Sequence, residues 1–183
     1  MRPRALRIAG LFLAFAAASR AQDAPAAPDG FSWKRIESVK ASFLMPDGWF
    51  FREEQKDGTR AFFITQEKIE EGGEFETGLT VNVQTLKRDK APERALQVIA
   101  AMAEGHEILE SWKRGEGPLE SFGARIRIVE KGRPALINHL LAIGNRRTNT
   151  LYILFFESPE AKWPEAWKKG EVMLREFLLD DEV

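Results

Sequence analysis

The residues best suited to acid–base or metal chemistry in this sequence are its two histidines, His106 and His139. Imidazole titrates near neutral pH and binds metals through either nitrogen, so each could act as a base or a ligand. His106 follows Gly105 at a loop or strand start, and His139 lies in an apolar run. No H-x-H or H-x-x-x-H spacing is present, so a histidine zinc site would need further ligands. We interpret His106 as a surface residue and His139 as a satisfied residue of a core or sheet face.

Three serines, Ser111, Ser121 and Ser158, offer hydroxyl groups for nucleophilic catalysis. A serine nucleophile needs a nearby base and an orienting acid, and none of the three lies in a G-x-S-x-G turn. We expect Ser158, which precedes Pro159, to cap the approach to the last helix. The chain has no cysteine, which removes thiol nucleophiles and thiolate metal sites. With no P-loop or dinucleotide glycine motif either, we predict no catalytic residues and no cofactor.

A cluster of carboxylates in residues 67–76 is the one candidate for a cation site. Hard cations such as Ca²⁺ prefer oxygen ligands, but this segment lacks the alternating Asp/Asn spacing of a calcium loop. We interpret it as a solvated connection between strands and assign no metal ligands. Whether it binds a cation stays open at this stage. The carboxylates are Glu67, Glu70, Glu71, Glu74 and Glu76.

Aromatic residues are numerous, with five Trp and thirteen Phe. Trp49, Trp163 and Trp167 fall on predicted core stripes. The strand faces of Trp33 and Trp112 are ambiguous, and an exposed aromatic side chain there would indicate a contact patch. We interpret these two as core residues as well, because most large aromatic side chains pack inside.

The first 21 residues have the pattern of a signal peptide. Arg2, Arg4 and Arg7 precede an uncharged apolar run at positions 8–18, and Ser19 and Ala21 are small residues suited to cleavage before position 22. The apolar run is shorter than the roughly 20 residues of a spanning helix, and no later segment is long enough either. We therefore expect a periplasmic or secreted protein without a stable membrane span.

Removal of residues 1–21 makes the domain acidic. Four arginines and no acidic residue lie in that segment, so the net charge moves from -1 to -5. An acidic domain has no electrostatic footprint for nucleic acid, and we predict none as a partner. Residues 22–30, QDAPAAPDG, form a Pro-rich flexible linker, and residues 31–183 form one domain.

Alternating apolar residues predict a strand-rich fold. Residues 41–45 and 49–51 read as antiparallel strands about the turn Pro46-Asp47-Gly48, followed by a strand at 61–64. Leu79, Val81 and Val83 alternate with polar residues, which indicates a half-buried strand. Further extended runs begin at Ile108 and Phe122. Residues 135–143 and 151–156 are almost wholly apolar, so we place them at the centre of the sheet, with the turn at 144–147 between them.

Two segments have helical spacing. Residues 92–104 begin with Pro92, carry an apolar stripe through Ala95, Leu96, Ile99, Met102 and Ala103, and stop at Gly105. Residues 164–179 form the last helix, with Trp163, Trp167, Gly170, Leu174, Phe177 and Leu178 on one stripe. The order strands, helix, strands, helix predicts an α+β fold whose largely antiparallel sheet has helices on both faces, an α/β/α sandwich.

The sequence resembles the PsbP-like superfamily. Residues 43–49, Phe-Leu-Met-Pro-Asp-Gly-Trp, and residues 151–156, Leu-Tyr-Ile-Leu-Phe-Phe, match it, as do Ser158-Pro159, Trp163 and a final helix reaching Phe177. The resemblance covers residues 31–179 and implies an antiparallel sheet with flanking helices. It also implies a domain that binds other proteins without catalysing a reaction. It carries over no functional residues, because its members bind unrelated partners through different surfaces.

Two functions therefore stay open. The first is a non-catalytic exported domain that binds another protein or assists assembly. The second is a small-ligand carrier or hydrolase with a cleft between the sheet and the final helix. Thermal-shift screening against lipids, cofactors and metals would separate the two.

Overall fold

The computed structural model describes residues 25–56, 59–70, 73–88, 90–115 and 118–179. Within these residues, ten strands and two α-helices follow one another. The signal peptide predicted at 1–21, and the first three residues of the linker predicted at 22–30, lie outside the described residues. The elements are β1 (Phe31–Ile36), β2 (Ala41–Pro46), β3 (Phe50–Lys56), β4 (Thr59–Thr65), β5 (Gly78–Thr85), α1 (Ala91–Ala103), β6 (Glu107–Arg114), β7 (Leu119–Ile128), β8 (Leu136–Asn145), β9 (Thr150–Pro159), α2 (Trp163–Arg175) and β10 (Leu178–Leu179).

The strands form two antiparallel sheets. The larger has the order β3-β4-β5-β9-β8-β7-β6, and the smaller has the order β1-β2-β10. The apolar strands β8 and β9 are central in the larger sheet, as their sequences predict. Neither α1, α2 nor any other helix of the described ranges has the length and hydrophobicity that a bilayer crossing requires.

Two hydrophobic clusters hold the fold together. The α2 cluster includes Phe43 of the small sheet, Tyr152 and Phe156 of β9, and Met173 of α2. The α1 cluster joins Ala95 and Ile99 of α1 to side chains from β7, β8 and β9. Strand β9 supplies Tyr152, Leu154 and Phe156 to the first, and Leu151, Ile153 and Phe155 to the second.

The predicted pairing of residues 41–45 with 49–51 is wrong. The turn itself forms, since the Trp49 amide donates to the Pro46 carbonyl at 3.1 Å and Gly48 has a φ of 76°. However, β2 pairs with β1 and β10, whereas β3 pairs with β4. The turn therefore carries the chain from one sheet to the other. Local turn chemistry predicts a reversal of direction, but it does not say which strand becomes the partner.

The last helix is shorter than predicted. It ends at Arg175, and Leu178 and Leu179 pair with Ser42 and Ala41 of β2. Phe177 packs on Phe43 with ring centroids 6.1 Å apart. These terminal apolar residues continue the helical spacing, but pairing with β2 ends the helix before them.

The other differences concern single positions. Leu96, predicted on the apolar stripe of α1, is 53% exposed, whereas Thr80, one of the polar residues that alternate with Leu79 and Val81, is buried. Gly144 and Asn145, predicted in a turn, are the last residues of β8. At Gly144, a methyl group would lie 2.5 Å from Pro92 Cα, so only glycine lets α1 approach the strand this closely.

Candidate binding groove

A groove of about 460 Å³ lies between α2 and the β6–β7–β8 end of the larger sheet. A second hollow of about 310 Å³ adjoins it, and Glu110 and Arg125 line both. The groove is lined by Glu110, Trp112, Arg114, Ser121, Arg125, His139, Leu141, Ile143, Trp167, Glu171, Leu174, Arg175 and Phe177. The hollow is lined by Leu109, Glu110, Arg125, Ile137, Glu160, Trp163 and Pro164.

Strand alternation places the groove side chains on one side of β6, β7 and β8. The register pairs Glu110 with Arg125, Trp112 with Gly123, and Arg125 with His139. Side chains directly opposite one another on antiparallel strands point to the same face. A register shift between residues 108 and 110 of β6 comes just before this set, and Leu109 and Glu110 both line the second hollow.

Gly123 makes room for the indole of Trp112. A methyl group on Gly123 would lie 2.6 Å from Trp112 Nε1 and closer still to two ring carbons. The ring therefore lies flat across the backbone of β7, which only a glycine permits. This position holds Trp112 against the groove floor rather than in solvent.

His139 lies between two tryptophan rings. Its ring centroid is 4.6 Å from that of Trp112 and 4.4 Å from that of Trp167. Trp163 stacks on Trp167 at 5.0 Å, which extends the aromatic row along α2. Three elements that are distant in sequence, β6, β8 and α2, thus meet at one imidazole.

The environment of His139 keeps it neutral. Burial is the main cause, and the Arg125 and Arg114 guanidinium groups add to it, so its pKa falls from 6.5 to about 3. Arg125 Nη2 lies 3.3 Å from His139 Nδ1. An arginine can only donate, so Nδ1 accepts and the neutral ring carries its proton on Nε2. Such an imidazole is too weak a base for general base catalysis near neutral pH.

Ser121, the serine that lines the groove, is not placed to use His139. The Ser121 hydroxyl lines the same groove but donates to the Arg114 carbonyl at 3.1 Å. Ser121 is four residues along β7 from Arg125, the residue opposite His139, which is about 13 Å at the rise of a strand. The arrangement is not that of a serine nucleophile with its base.

Arg125 is the central cation of the groove. Its guanidinium lies 4.6 Å from the Trp167 ring centroid and 5.6 Å from that of Trp163. It forms an ion pair with Glu110 across the two strands at 3.5 Å. Its Nε is buried and has no hydrogen-bond partner among the described residues. Arg125 therefore keeps unused hydrogen-bonding capacity beside an aromatic wall.

The guanidinium groups of the other two arginines of the groove have few carboxylate partners. Arg114 has no carboxylate within ion-pair distance in the described part of the chain, and Arg175 pairs only with its neighbour Glu176, at 3.0 Å. Glu171 is the one lining carboxylate besides Glu110. The groove thus carries three arginines and two glutamates within an acidic domain.

The remaining predicted residues lie outside the groove. His106 is exposed before β6, and Ser111 is exposed on β6. Trp33 donates to the Pro25 carbonyl at 2.6 Å, and Trp49 is buried against Phe156. Ser158 is not a helix cap, because it is buried in β9 and shares a hydrogen bond with the Thr77 hydroxyl at 3.1 Å.

The carboxylates of the acidic segment 67–76 contact separate partners. Glu67 accepts from the Thr77 amide at 3.2 Å, Glu76 pairs with Lys162 at 2.6 Å, and Glu74 lies 3.9 Å from Arg133. Within the described residues no three His, Asp or Glu side chains approach closely enough to hold a metal ion. Glu71 lies outside those residues.

A half-buried carboxylate lies away from the groove, at Glu157 of β9. Its nearest partner is Asn138 of β8, whose Nδ2 donates to the carboxylate at 3.3 Å. Burial raises the pKa of Glu157 from 4.5 to about 7. The Oδ1 of Asn138 and the hydroxyl of Thr80 are buried without a partner in the described chain.

Sequence reasoning missed the arginines and the glycine of this groove. Arg125 and Gly123 alternate with the apolar residues of β7, and the opposite side of such a strand reads as solvent-facing. The signal that could have found them is a small residue and a charged residue on adjacent same-face positions, opposite a tryptophan on a neighbouring strand. Recognising this signal requires the pairing register of β6 with β7, which cannot be read from the sequence.

The fold itself has known counterparts. The solution structure of cyanobacterial PsbP (CyanoP) from Synechocystis sp. PCC 6803 matches with a TM-score of 0.57 and 14% identity, over 84% of this chain and 95% of that one. The chain has the PsbP-like fold. The Ran-binding protein Mog1p of Saccharomyces cerevisiae matches with a TM-score of 0.51 and 14% identity, over 81% of this chain and 95% of that one.

The PsbP-like fold is the extent of what these matches establish. No family model and no curated protein matches the sequence. At 14% identity the likeness concerns architecture, and function has to be argued from the groove itself. The predicted resemblance to the PsbP-like superfamily is confirmed at the level of the fold.

Proposed function

We propose that this chain is a non-catalytic, exported domain that binds another protein through the groove beside α2. The observation that carries the proposal is His139, held neutral between Trp112 and Trp167. His139 therefore packs in the groove and does not act as a base. The accessible residues are the arginines and aromatic rings at the rim of the groove. Arginine and tryptophan are the residue types most often found at the energetic centres of protein interfaces.

Two further observations support the two parts of this proposal, protein binding and export. The yeast neighbour is a Ran-binding protein, so the fold is compatible with protein recognition. The leader at 1–21 supports export to the periplasm or the medium. We also infer that α1 and α2 cover opposite faces of the larger sheet, since alternate residues of β9 enter different clusters. That arrangement leaves β6, at the sheet end, as the accessible side of the groove.

A small-ligand carrier is the second candidate. The groove volume of about 460 Å³ lies within the range of small-molecule sites. The hydrolase form of this idea has less support, because Ser121 and His139 are separated along the sheet.

Site-specific crosslinking in the native cell envelope tests the proposal. A benzophenone amino acid replaces Glu171 at the groove, and the matched control carries it at Gln97, which is exposed on α1. We expect a discrete protein adduct from the first position and none from the second. Equal adducts from both, or none from either, would reject the groove as a protein-binding site. Export is tested by mass spectrometry of the N-terminus, which should begin at Gln22.

A further inference from the structure

The groove combines positive charge with apolar walls. Arg114, Arg125 and Arg175 line it together with Trp167, Leu174 and Phe177. A free inorganic anion would pair with the arginines and leave the aromatic rings exposed to water, whereas an aliphatic ligand would leave the arginines without partners. A ligand that satisfies both carries an anionic group beside apolar atoms.

The lining of the groove carries more positive than negative charge, since Arg114, Arg125 and Arg175 face Glu110 and Glu171. Arg125 and Arg114 both disfavour protonation of His139, and of the two Arg125 is paired with a carboxylate, Glu110, at 3.5 Å. Arg114 also has no ion pair within the described residues, although its exposed neighbour Lys113 pairs with Glu120 at 3.4 Å. A planar guanidinium with free donors favours a carboxylate, which it can bind through two parallel hydrogen bonds.

Strand β6 indicates the form of the ligand. It is the end strand of the larger sheet and has no strand partner on its outer edge in the described residues. Ile108 and Leu109 on it are 57% and 47% exposed. Unpaired edges bind extended segments through main-chain hydrogen bonds, while side-chain pockets select the sequence. The register shift at residues 108–110 leaves the stretch from Ser111 to Arg114 as the regular part of that edge.

We propose that the groove binds an extended, acidic segment of the partner protein, whose carboxylate pairs with Arg114 and whose apolar neighbours pack on Trp167 and Leu174. This inference rests on the proposed function and names the chemistry of the partner. Arg125 and Arg175 add to the attraction, and Glu110 and Glu171 at the rim oppose basic segments. Recognition is thus selective by repulsion as well as by attraction.

The test is selection of random dodecapeptides displayed on phage against the purified protein, followed by affinity measurement on the synthetic peptides. We expect Asp or Glu beside aliphatic or aromatic residues in the selected peptides. Arg114→Gln should weaken binding about tenfold, equivalent to about 1.4 kcal/mol. Lys113→Gln, the same charge change on the opposite side of β6, should leave the affinity within about twofold. Replacing the acidic residue of the peptide by its amide should reproduce the loss.

Several results would overturn this inference. They are the absence of any selected peptide, selection of peptides without acidic residues, and equal effects of Arg114→Gln and Lys113→Gln. Thermal melts of both variants establish that they are folded. A protein adduct at position 171 whose yield is unchanged by Arg114→Gln would reject the acidic segment and leave the proposed function standing. Binding of acidic peptides to the purified protein without a protein adduct in cells would reject the proposed function and leave the preference of the groove for acidic segments standing.

Discussion

The indole of Trp112 occupies the space that a side chain at Gly123 would need. A methyl group there would lie 2.6 Å from Trp112 Nε1, which is closer than carbon and nitrogen atoms pack. The aromatic floor of the groove, with His139 between Trp112 and Trp167, therefore depends on the absence of a side chain on the neighbouring strand.

Gly123→Ala should displace the Trp112 ring and lower the free energy of unfolding by about 1–3 kcal/mol, as overpacking does. Denaturant unfolding measures the loss of stability, and tryptophan fluorescence detects the displacement of the Trp112 ring. In a Trp112→Leu background the clash with the indole is absent, so the same substitution should be nearly neutral. An equal cost in both backgrounds would contradict the proposed packing.

His139 should make the protein less stable in acid. Its pKa is about 3 when folded and 6.5 when unfolded, so the unfolded chain binds the extra proton between these values. Its contribution is complete above pH 6.5 and is lost as the pH falls toward 3, by about 1.4 kcal/mol per unit at most. His139→Phe keeps an aromatic ring and should remove this loss. Unfolding free energies at pH 7 and pH 4 compare the two proteins, and identical pH dependences would be the contrary result.

Glu157 should make the protein less stable as the pH rises. Its pKa of about 7 when folded exceeds its ordinary value of 4.5, so its contribution is complete below pH 4.5 and is lost as the pH rises through 7. Glu157→Gln should raise stability at pH 8 by about 3 kcal/mol at most. The new amide can also donate to Asn138 Oδ1, which is buried without a partner in the described chain. Glu130→Gln, at an exposed carboxylate, is the control and should change little. A loss of stability at pH 8 would show that the Glu157 carboxylate is bound as an anion.

Asn149 should be critical for the start of α1. Its Oδ1 accepts from the Ala91 amide at 2.9 Å, and its Nδ2 donates to the Leu86 carbonyl at 2.9 Å. Asn149 has a φ of 55°, so Asn149→Gly retains the backbone conformation and removes both side-chain bonds. We expect a loss of about 1–3 kcal/mol and faster hydrogen exchange at the Ala91 amide. Asn149→Asp retains the acceptor and should restore the Ala91 protection in part. Unchanged exchange in Asn149→Gly would reject this role.

The helices and central strands could be predicted from the sequence because their signals are local. Pro92, the apolar spacing and Gly105 predict a helix at residues 92–104, and α1 differs from this range by one residue at each end. The end of α2 could not be predicted in this way. Leu178 leaves the helix because it pairs with Ser42, a contact that spans most of the chain.

The groove could be predicted only in part. The sequence predicts Trp112 and Trp167 as core residues, and His139 as a satisfied residue of a core or sheet face. The sequence does not predict the role of Arg125, because its position depends on β6, β8 and α2 meeting at one point. The meaning of a charged residue on a strand is decided by its neighbours in space, and local periodicity does not contain them.

Strand β9 gives alternate side chains to the α1 and α2 clusters, so neither cluster exists without it. A defect on one side of this strand is therefore transmitted to the other. Heating should melt the described domain as a single cooperative unit, without an intermediate in which one helix has detached and the other remains docked. For a protein without disulfides, that shared strand takes the place of a crosslink.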